Sequence, residues 1–387
     1  MIDDLGAAGA ERSLAAMAPH YARAGIGLEV AYLRDEPGVQ PELEAAGAGL
    51  LSLEGSGGRL GWVRRARRLI LARRPDLVHT TLFESDVAGR LGATLAGVPV
   101  VSSLVNIAYG SDQAAAPGLR RWKVRGAQLL DAATASRVAR FHANATHVAD
   151  VMARRLWVPR DRMEVIPRGR DPEVLGRRDP ARRARVRAGL GVADGTPLLL
   201  SVARHEHQKG LDVLLAAMPR VLAQAPGARL LVAGRDGNQT PRLLAAAAEL
   251  GLDGAATFLG AREDVADLLC AADLVVIPSR WEGLSNVLIE AMAMEAPVVA
   301  SDLPTLHDAV ADGDTARLVP PGDPDRLAAA VVAALADPAA AAARADRAHQ
   351  RFLARFTIDR VVDQMGAFYE RALAAAGRVS PAGAPRT

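Results

Sequence analysis

Four residues in this sequence have the type and spacing to do chemistry together. Glu282 and Glu290 stand in the stretch Asp273 to Ser301, and Arg204 and Lys209 precede them in the chain. Glu282 opens the turn Glu282-Gly283-Leu284-Ser285, and Ser285 is placed to cap a helix whose apolar positions are Val287, Leu288, Ala291, Met292 and Met294. Glu290 then lies more than a turn inside that helix. The two carboxylates would therefore reach different parts of one ligand rather than share a metal ion. A charged nucleotide with hydroxyls to grip fits such a pair. Arg204 and Lys209-Gly210 follow the apolar run Leu198 to Val202. Two cations at a strand end can neutralise a diphosphate as it leaves. Lys209 is one of only two lysines among 47 Lys plus Arg, the other being Lys123, so a compact point charge is needed there.

The elements that must position these groups read as strands alternating with helices. Leu274 to Ile277 is a short β-branched run stopped by Pro278, and Pro297 to Ala300 is the next strand. Before them come strands at Leu198 to Val202, Ala228 to Ala233 and Ala256 to Leu259, with helices at Leu211 to Ala223 and Pro241 to Leu250. A strand near Ala316 to Val319 and an alanine-rich helix broken near Pro338 follow. The first half repeats the alternation. Its helix spans about Gly9 to Ala24, and strands fall at Leu28 to Leu33, Leu50 to Leu53, Asp76 to His79, Val98 to Ser103 and Met163 to Ile166. Helices are expected at Leu60 to Arg73, Ser85 to Ala96 and Ala145 to Leu156, and a loop at Asn106 to Gly118. Such βαβ units give parallel sheets, whose ligands lie outside the carboxyl ends of the strands, where helix N-termini offer N–H groups to anions.

Composition bounds the function without naming it. At 387 residues, half of them apolar, the chain is sized for two α/β domains. A net charge of +3 gives no general case for nucleic-acid binding, and none is expected. The single cysteine, Cys270, forms no internal disulfide and reads as a buried structural thiol in a cytoplasmic protein. No apolar run approaches the ~18 residues of a membrane span. Arginines surround Trp62 along Leu60 to Arg74, and Arg120, Arg121, Lys123 and Arg125 surround Trp122. These segments suit either helices packed on the sheet with a solvated arginine face, or peripheral contact with the anionic inner face of the plasma membrane. His205 and His207 flank Glu206, a weak metal pattern; no metal is expected.

Taken in order, these residues resemble family 4 of the retaining glycosyltransferases. Gly9-Ala10-Glu11-Arg12, Arg204, Lys209-Gly210, Val232-Ala233-Gly234, Leu259-Gly260 with Arg262 and Asp264-Val265, then Glu282-Gly283 to Glu290-Ala291-Met292-Ala293, match that family's pattern along nearly the whole chain. The resemblance implies the GT-B fold, two Rossmann-like domains facing across a cleft. Residues 1–170 would bind the acceptor, 171–356 the nucleotide-sugar donor, and a terminal helix at 357–376 would pack back on the first domain. Phe352, Phe356, Ile358, Val361, Met365, Phe368 and Tyr369 would form its docking face. The family's roles place Arg204 and Lys209 on the diphosphate, Glu282 on the donor sugar with the N–H groups of Gly283, Leu284 and Ser285, and Glu290 on the ribose. Arg262 would lie near the base, while Gly9 and Gly234 would allow close backbone approach to the donor. The donor is a UDP- or GDP-linked sugar acting as co-substrate with no cofactor. The acceptor is a glycan, a lipid-linked or a small molecule, in bacterial cell-envelope polysaccharide or glycoconjugate synthesis.

The sequence also departs from the family pattern. Where relatives often carry a histidine after the strand ending at Ser103, this chain has Val105 followed by Asn106, the acceptor-side residue; His79 reads as structural. Glu295 stands where glycine is frequent, and Arg168-Gly169-Arg170-Asp171 replaces the usual Asn-Gly-Val-Asp. Relatives begin with a central strand whose end resembles Ile2 to Gly6, so the true start is expected upstream of Met1; the tail from Arg378 is expected to be disordered. Two other functions compete, a catalytically silent nucleotide-sugar-binding subunit and a sugar-nucleotide epimerase. A dinucleotide oxidoreductase is disfavoured because no G-x-G-x-x-G follows either domain's first strand.

Overall fold

The computed structural model describes residues 1–6, 8–110 and 121–377. The chain divides at two places into compact units, one comprising Met1–Gly169 together with the chain from Ile358 onward, the other Arg170–Thr357. In the second unit six strands form one parallel sheet: β7 (Leu198–Val202), β8 (Arg229–Ala233), β9 (Ala256–Gly260), β10 (Leu274–Ile277), β11 (Val298–Ser301) and β12 (Arg317–Val319). Their spatial order is β12-β11-β10-β7-β8-β9. Successive side chains point to opposite faces, and here both faces are covered. Leu274 and Val276 join Leu199 and Val299 in one buried cluster, whereas Val275 and Ile277 join Leu200 and Ala300 in the other. That is why these strands read as continuous apolar runs rather than alternating ones. Cys270 is fully buried on the Val265–Ala271 helix.

The first unit holds β1 (Glu29–Tyr32), β2 (Gly49–Ser52), β3 (Val78–Thr81), β4 (Val100–Leu104), β5 (Arg140–Ala143) and β6 (Met163–Val165). β1 pairs with β2, and β3 to β6 pair in sequence, all parallel. Ile2 lies between the two ladders with single parallel bridges to Tyr32 and Thr81, its N–H donating to Ala31 O at 3.0 Å. The Ile358–Ala375 helix belongs to this unit, where Ile358, Val361, Met365 and Phe368 bury themselves with Tyr21, Val101 and Ile166.

Several sequence expectations need correction. Phe352 and Phe356 do not dock the terminal helix: they sit in the second unit's core, because the helix ending at Arg355 breaks before Thr357 and the next helix starts at Ile358. β3 lies two residues later than Asp76 to His79, since Thr80 and Thr81 are drawn into the sheet and Thr80 Oγ1 donates to buried Asp86. A helix at Gln40–Ala45 was not expected, and the basic helix around Trp122 runs on to Ala135, well past Arg125. The alanine-rich stretch does break at residue 337, into Pro324–Ala336 and Pro338–Arg355. The Asn106 to Gly118 loop beyond Gly110, Arg120 and the tail from Arg378 fall outside the described residues.

The Gly58–Arg73 helix packs onto the first unit. Val63, Ala66 and Ile70 are buried, Arg65 donates to Leu53 O, Gly55 O and Ser56 O, and Arg59 pairs with Glu84 at 2.6 Å. Leu60 and Leu71 remain exposed. Among the described residues no single helix is long and apolar enough to cross a membrane.

Candidate active site

In the second unit's sheet the chain starts centrally at β7, moves outward through β8 and β9, then returns to the other side of β7 as β10. The connections leaving β7 and β10 run in opposite directions, which opens a crevice at their carboxyl ends, the topological switch point of a doubly wound sheet. Arg204 and Lys209 follow β7, Gly234 follows β8, Arg262 follows β9, and Glu282 to Ser285 follow β10. Four adjacent strands thus deliver these residues to one sheet edge.

The loops after β7 and β10 are bound to each other into one piece. Arg280 N–H donates to Gln208 O at 2.8 Å, Gln208 Nε2 to Trp281 O at 2.9 Å, and Arg280 Nη1 to His207 O at 2.9 Å. Two glycines permit this crowding. Gly210 has φ +63°, and a Cβ there would fall 2.0 Å from Pro278 O; Gly234 has φ +157°, and a Cβ there would fall 1.9 Å from Ala203 O. Across the crevice Lys209 Nζ lies 2.5 Å from Glu282 Oε1, which also accepts from Ser279 Oγ at 2.8 Å. Glu282 is only 8% exposed, and pairing is the condition on which a carboxylate tolerates such a place.

Around this pair lie donors with nothing to bind. Arg204 is exposed, and among the described residues its side chain has no hydrogen bond or ion pair. The Asn286–Ala293 helix begins after Ser285, which has extended backbone angles but, contrary to expectation, makes no side-chain capping bond. Among the described residues the N–H groups of Gly283, Leu284 and Ser285 meet no acceptor. Free amides at a helix N-terminus, on the sheet edge that also carries Arg204 and Lys209, are groups suited to an anion. Glu290 lies farther along that helix, its Oε1 accepting from Arg170 Nε at 2.7 Å. Arg262 is engaged with Asp264, Nε to Oδ1 at 2.7 Å and Nη2 to Oδ2 at 2.5 Å, and this pairing holds the Asp264 carboxyl below its usual range.

His205 and His207 are not brought together. His205 Nδ1 lies 2.9 Å from Thr240 Oγ1 while its ring meets Phe258, and His207 packs against Trp281. Among the described residues no cluster of three His, Cys, Asp or Glu is placed to hold a metal ion.

The candidate residues of the first unit are placed separately. Gly9 opens the Gly9–Arg23 helix, and its carbonyl accepts from Arg168 Nη1, which also donates to Ser13 Oγ at 2.9 Å. Asn106 follows β4 and turns its Oδ1 back onto the N–H of Ile107 at 2.8 Å, while Val105 O accepts from Asn144 Nδ2. His79 lies within β3, 2.8 Å from Tyr369 Oη and 2.7 Å from Ser103 Oγ, a structural setting. Three residues escaped the sequence reading. Gln208 ties the loop after β7 to the loop after β10 and Ser279 donates to Glu282, and nothing in their types announces it. Arg170 was visible as a departure from the family pattern, yet its contact with Glu290 was not.

Comparisons with known proteins agree with this architecture. Residues 7–174 match the family model described as Glycosyltransferase Family 4, and residues 196–337 the model described as Glycosyl transferases group 1. The D-inositol 3-phosphate glycosyltransferase of Nocardia farcinica is 35% identical over 252 residues, 63% of this chain and 55% of that enzyme, so the chain spans little more than half that relative's length. The enzyme of the same name from Segniliparus rotundus is 33% identical over 314 residues, 78% of this chain and 67% of the relative. Among solved structures, Anabaena Alr3699/HepE in complex with UDP-glucose superposes with a TM-score of 0.83 at 23% identity, covering 95% of this chain and 98% of that one. That likeness is one of fold, the GT-B fold.

Proposed function

This chain belongs to family 4 of the group 1 glycosyltransferases, and from that premise we propose that it moves a sugar from a nucleoside-diphosphate sugar to an acceptor hydroxyl with retention of anomeric configuration and without a metal ion. The observation that carries the reading is the Lys209–Glu282 pair at the switch point, flanked by unpaired Arg204 and the free amides of Gly283 to Ser285. In the reaction the bond between the sugar's anomeric carbon and the β-phosphate oxygen breaks. The acceptor oxygen attacks the same face, and the leaving phosphate oxygen takes its proton. Arg204 and Lys209 stabilise the diphosphate charge, Glu282 accepts from the sugar's hydroxyls, and Glu290 holds the ribose. Donor binding therefore exchanges the partners of Lys209 and Glu282: the cation turns to phosphate and the carboxylate to sugar.

UDP-glucose and D-inositol 3-phosphate, the donor bound to Anabaena HepE and the compound in the relatives' name, are the first substrates to test; GDP-linked sugars and lipid-linked or glycan acceptors of the cell envelope come next. The assay is nucleotide release. Lys209→Ala and Glu282→Ala are each expected to lower kcat/KM by about 10²–10³, the scale of losing one charge-stabilising contact. Proton NMR of the product reports retention, and turnover in EDTA reports metal independence. Turnover unaffected by both substitutions sinks this assignment. Binding of nucleotide sugar without turnover on any acceptor favours a silent partner subunit, for which Val105 and the self-bonded Asn106 speak. The exposed Leu60 and Leu71 on the arginine-rich helix support peripheral contact with anionic lipid at the inner membrane face, to be read from salt-sensitive liposome flotation.

A further inference from the structure

We propose that Arg170 is a positioning residue that makes this enzyme select ribonucleotide over 2′-deoxyribonucleotide donors; the inference rests on the donor role assigned to Glu290 above. Glu290 stands on a helix whose neighbouring residues, Ile289, Ala291 and Met292, are buried in the core of the second unit. A carboxylate at the rim of such a core needs a partner to hold it there. Arg170 supplies it from 120 positions away in the sequence, Nε to Glu290 Oε1 at 2.7 Å.

The arginine is itself fixed. It is 8% exposed, its N–H donates to Phe356 O at 2.9 Å, and its backbone bridges in parallel to Thr357. Its guanidinium therefore pins one carboxylate oxygen from a rigid base. The second oxygen, Oε2, has no hydrogen-bond partner among the described residues. A carboxylate tethered through one oxygen presents the other in a single orientation, and an ionised acceptor bonds a hydroxyl more strongly than a neutral one. The ribose 2′- and 3′-hydroxyls are the donors that such an oxygen would distinguish, and a 2′-deoxy sugar lacks one of them. Without Arg170 the Glu290 side chain regains its rotamers and the distinction fades.

The test is calorimetric titration of the full chain with UDP, GDP and their 2′-deoxy counterparts, on wild type and Arg170→Met. Wild type is expected to bind the ribonucleotide at least about tenfold more tightly than its deoxy form, since an unmatched buried polar group is costly. Arg170→Met is expected to bring that ratio below about threefold, by weakening the ribonucleotide and leaving the deoxynucleotide unchanged. Arg170→Lys, a point charge in the same place, is expected to give an intermediate ratio. If the Met variant does not fold, Arg170→Gln serves for the same ratio, with the same expectation. Equal weakening of both nucleotides, or an unchanged ratio, overturns the inference while leaving the donor reading intact. Wild type that binds neither UDP nor GDP overturns the donor reading and this inference with it.

Discussion

The two units use the same kinds of residue in opposite ways. At the carboxyl edge of the second unit, charge sits on loops: Arg204 is exposed, and Lys209 and Glu282 hold one another near the surface. Inside the first unit, charge is sealed. Arg90 has no exposure, and its Nη1 lies 2.5 Å from Asp131 Oδ1 while Nη2 lies 3.3 Å from Asp86 Oδ2. Tyr109 donates to Asp131, and Thr80 to Asp86. Two carboxylates flank one guanidinium, and burial, with the Asp131 charge adding to it, pushes the Asp86 carboxyl up to about 7. On the other side of the sheet a second chain runs Tyr21, Tyr369, His79, Ser103, His142. It ends on Ile166 O, 2.8 Å from His142 Nε2. A carbonyl only accepts, so His142 donates from Nε2 and receives Ser103's proton at Nδ1, and each earlier link donates in the same direction. Burial favours the neutral rings, pushing His142 down to about 4 and His79 well below its usual range. A charge network signals function where it opens to solvent on loops, and architecture where its members are enclosed and paired with one another.

The contrast predicts which substitutions unfold the protein and which only silence it. Arg90→Leu, which strands two buried carboxylates, should cost about 3–5 kcal/mol in denaturant unfolding, whereas Lys209→Ala should lose activity with a far smaller loss of stability. Equal stability losses in the two variants would erase the distinction.

The pH dependence sharpens it next. Folded His142 titrates below its unfolded value of about 6.5, so its contribution is complete above that pH and lost as pH falls from about 6.5 to about 4. Asp86 has the opposite sign: its folded value lies above the unfolded 3.8, so its contribution is complete below about 4 and lost as pH rises toward 7. Asp86→Asn should therefore gain stability relative to wild type as pH rises from 4 to 7, by up to about 3 kcal/mol. A difference that stays flat over that range would show that Asp86 is ionised throughout.

The smallest effect concerns Glu295, which follows the Asn286–Ala293 helix with φ +49°, a left-handed conformation that explains the glycine frequent there. Glu295→Gly should raise stability by about 1 kcal/mol and leave nucleotide release unchanged. Loss of activity in that variant would tie the helix end to the chemistry.

Much of the second unit's carboxyl edge was legible because its signals are local: a cation pair after one strand, a turn and two glutamates after another, apolar runs between them. Strand bounds failed where polar residues were bought into the interior by long-range partners, as with Thr80 and Asp86. The full length of the Arg121–Ala135 helix was not legible because its buried members include Gln128, Asp131 and Thr134, which no apolar pattern reveals. Arg170 shows the same limit from the functional side, since an oddity in sequence becomes a contact only when the fold brings position 290 to it.

The parallel bridge from Arg170 to Thr357 has a further consequence for how such a chain can be remade. The second unit begins and ends at neighbouring residues, and the first unit's cut ends are just as close, a Cβ on Gly169 falling 2.8 Å from the Cα of Ile358. The second unit is thus an insert with its entry and exit side by side, so residues 170–357 form a natural cassette. Replacing it with that of a relative would leave both junctions spanning the same short gap, so the whole unit could be exchanged by one recombination event without re-closing a long loop.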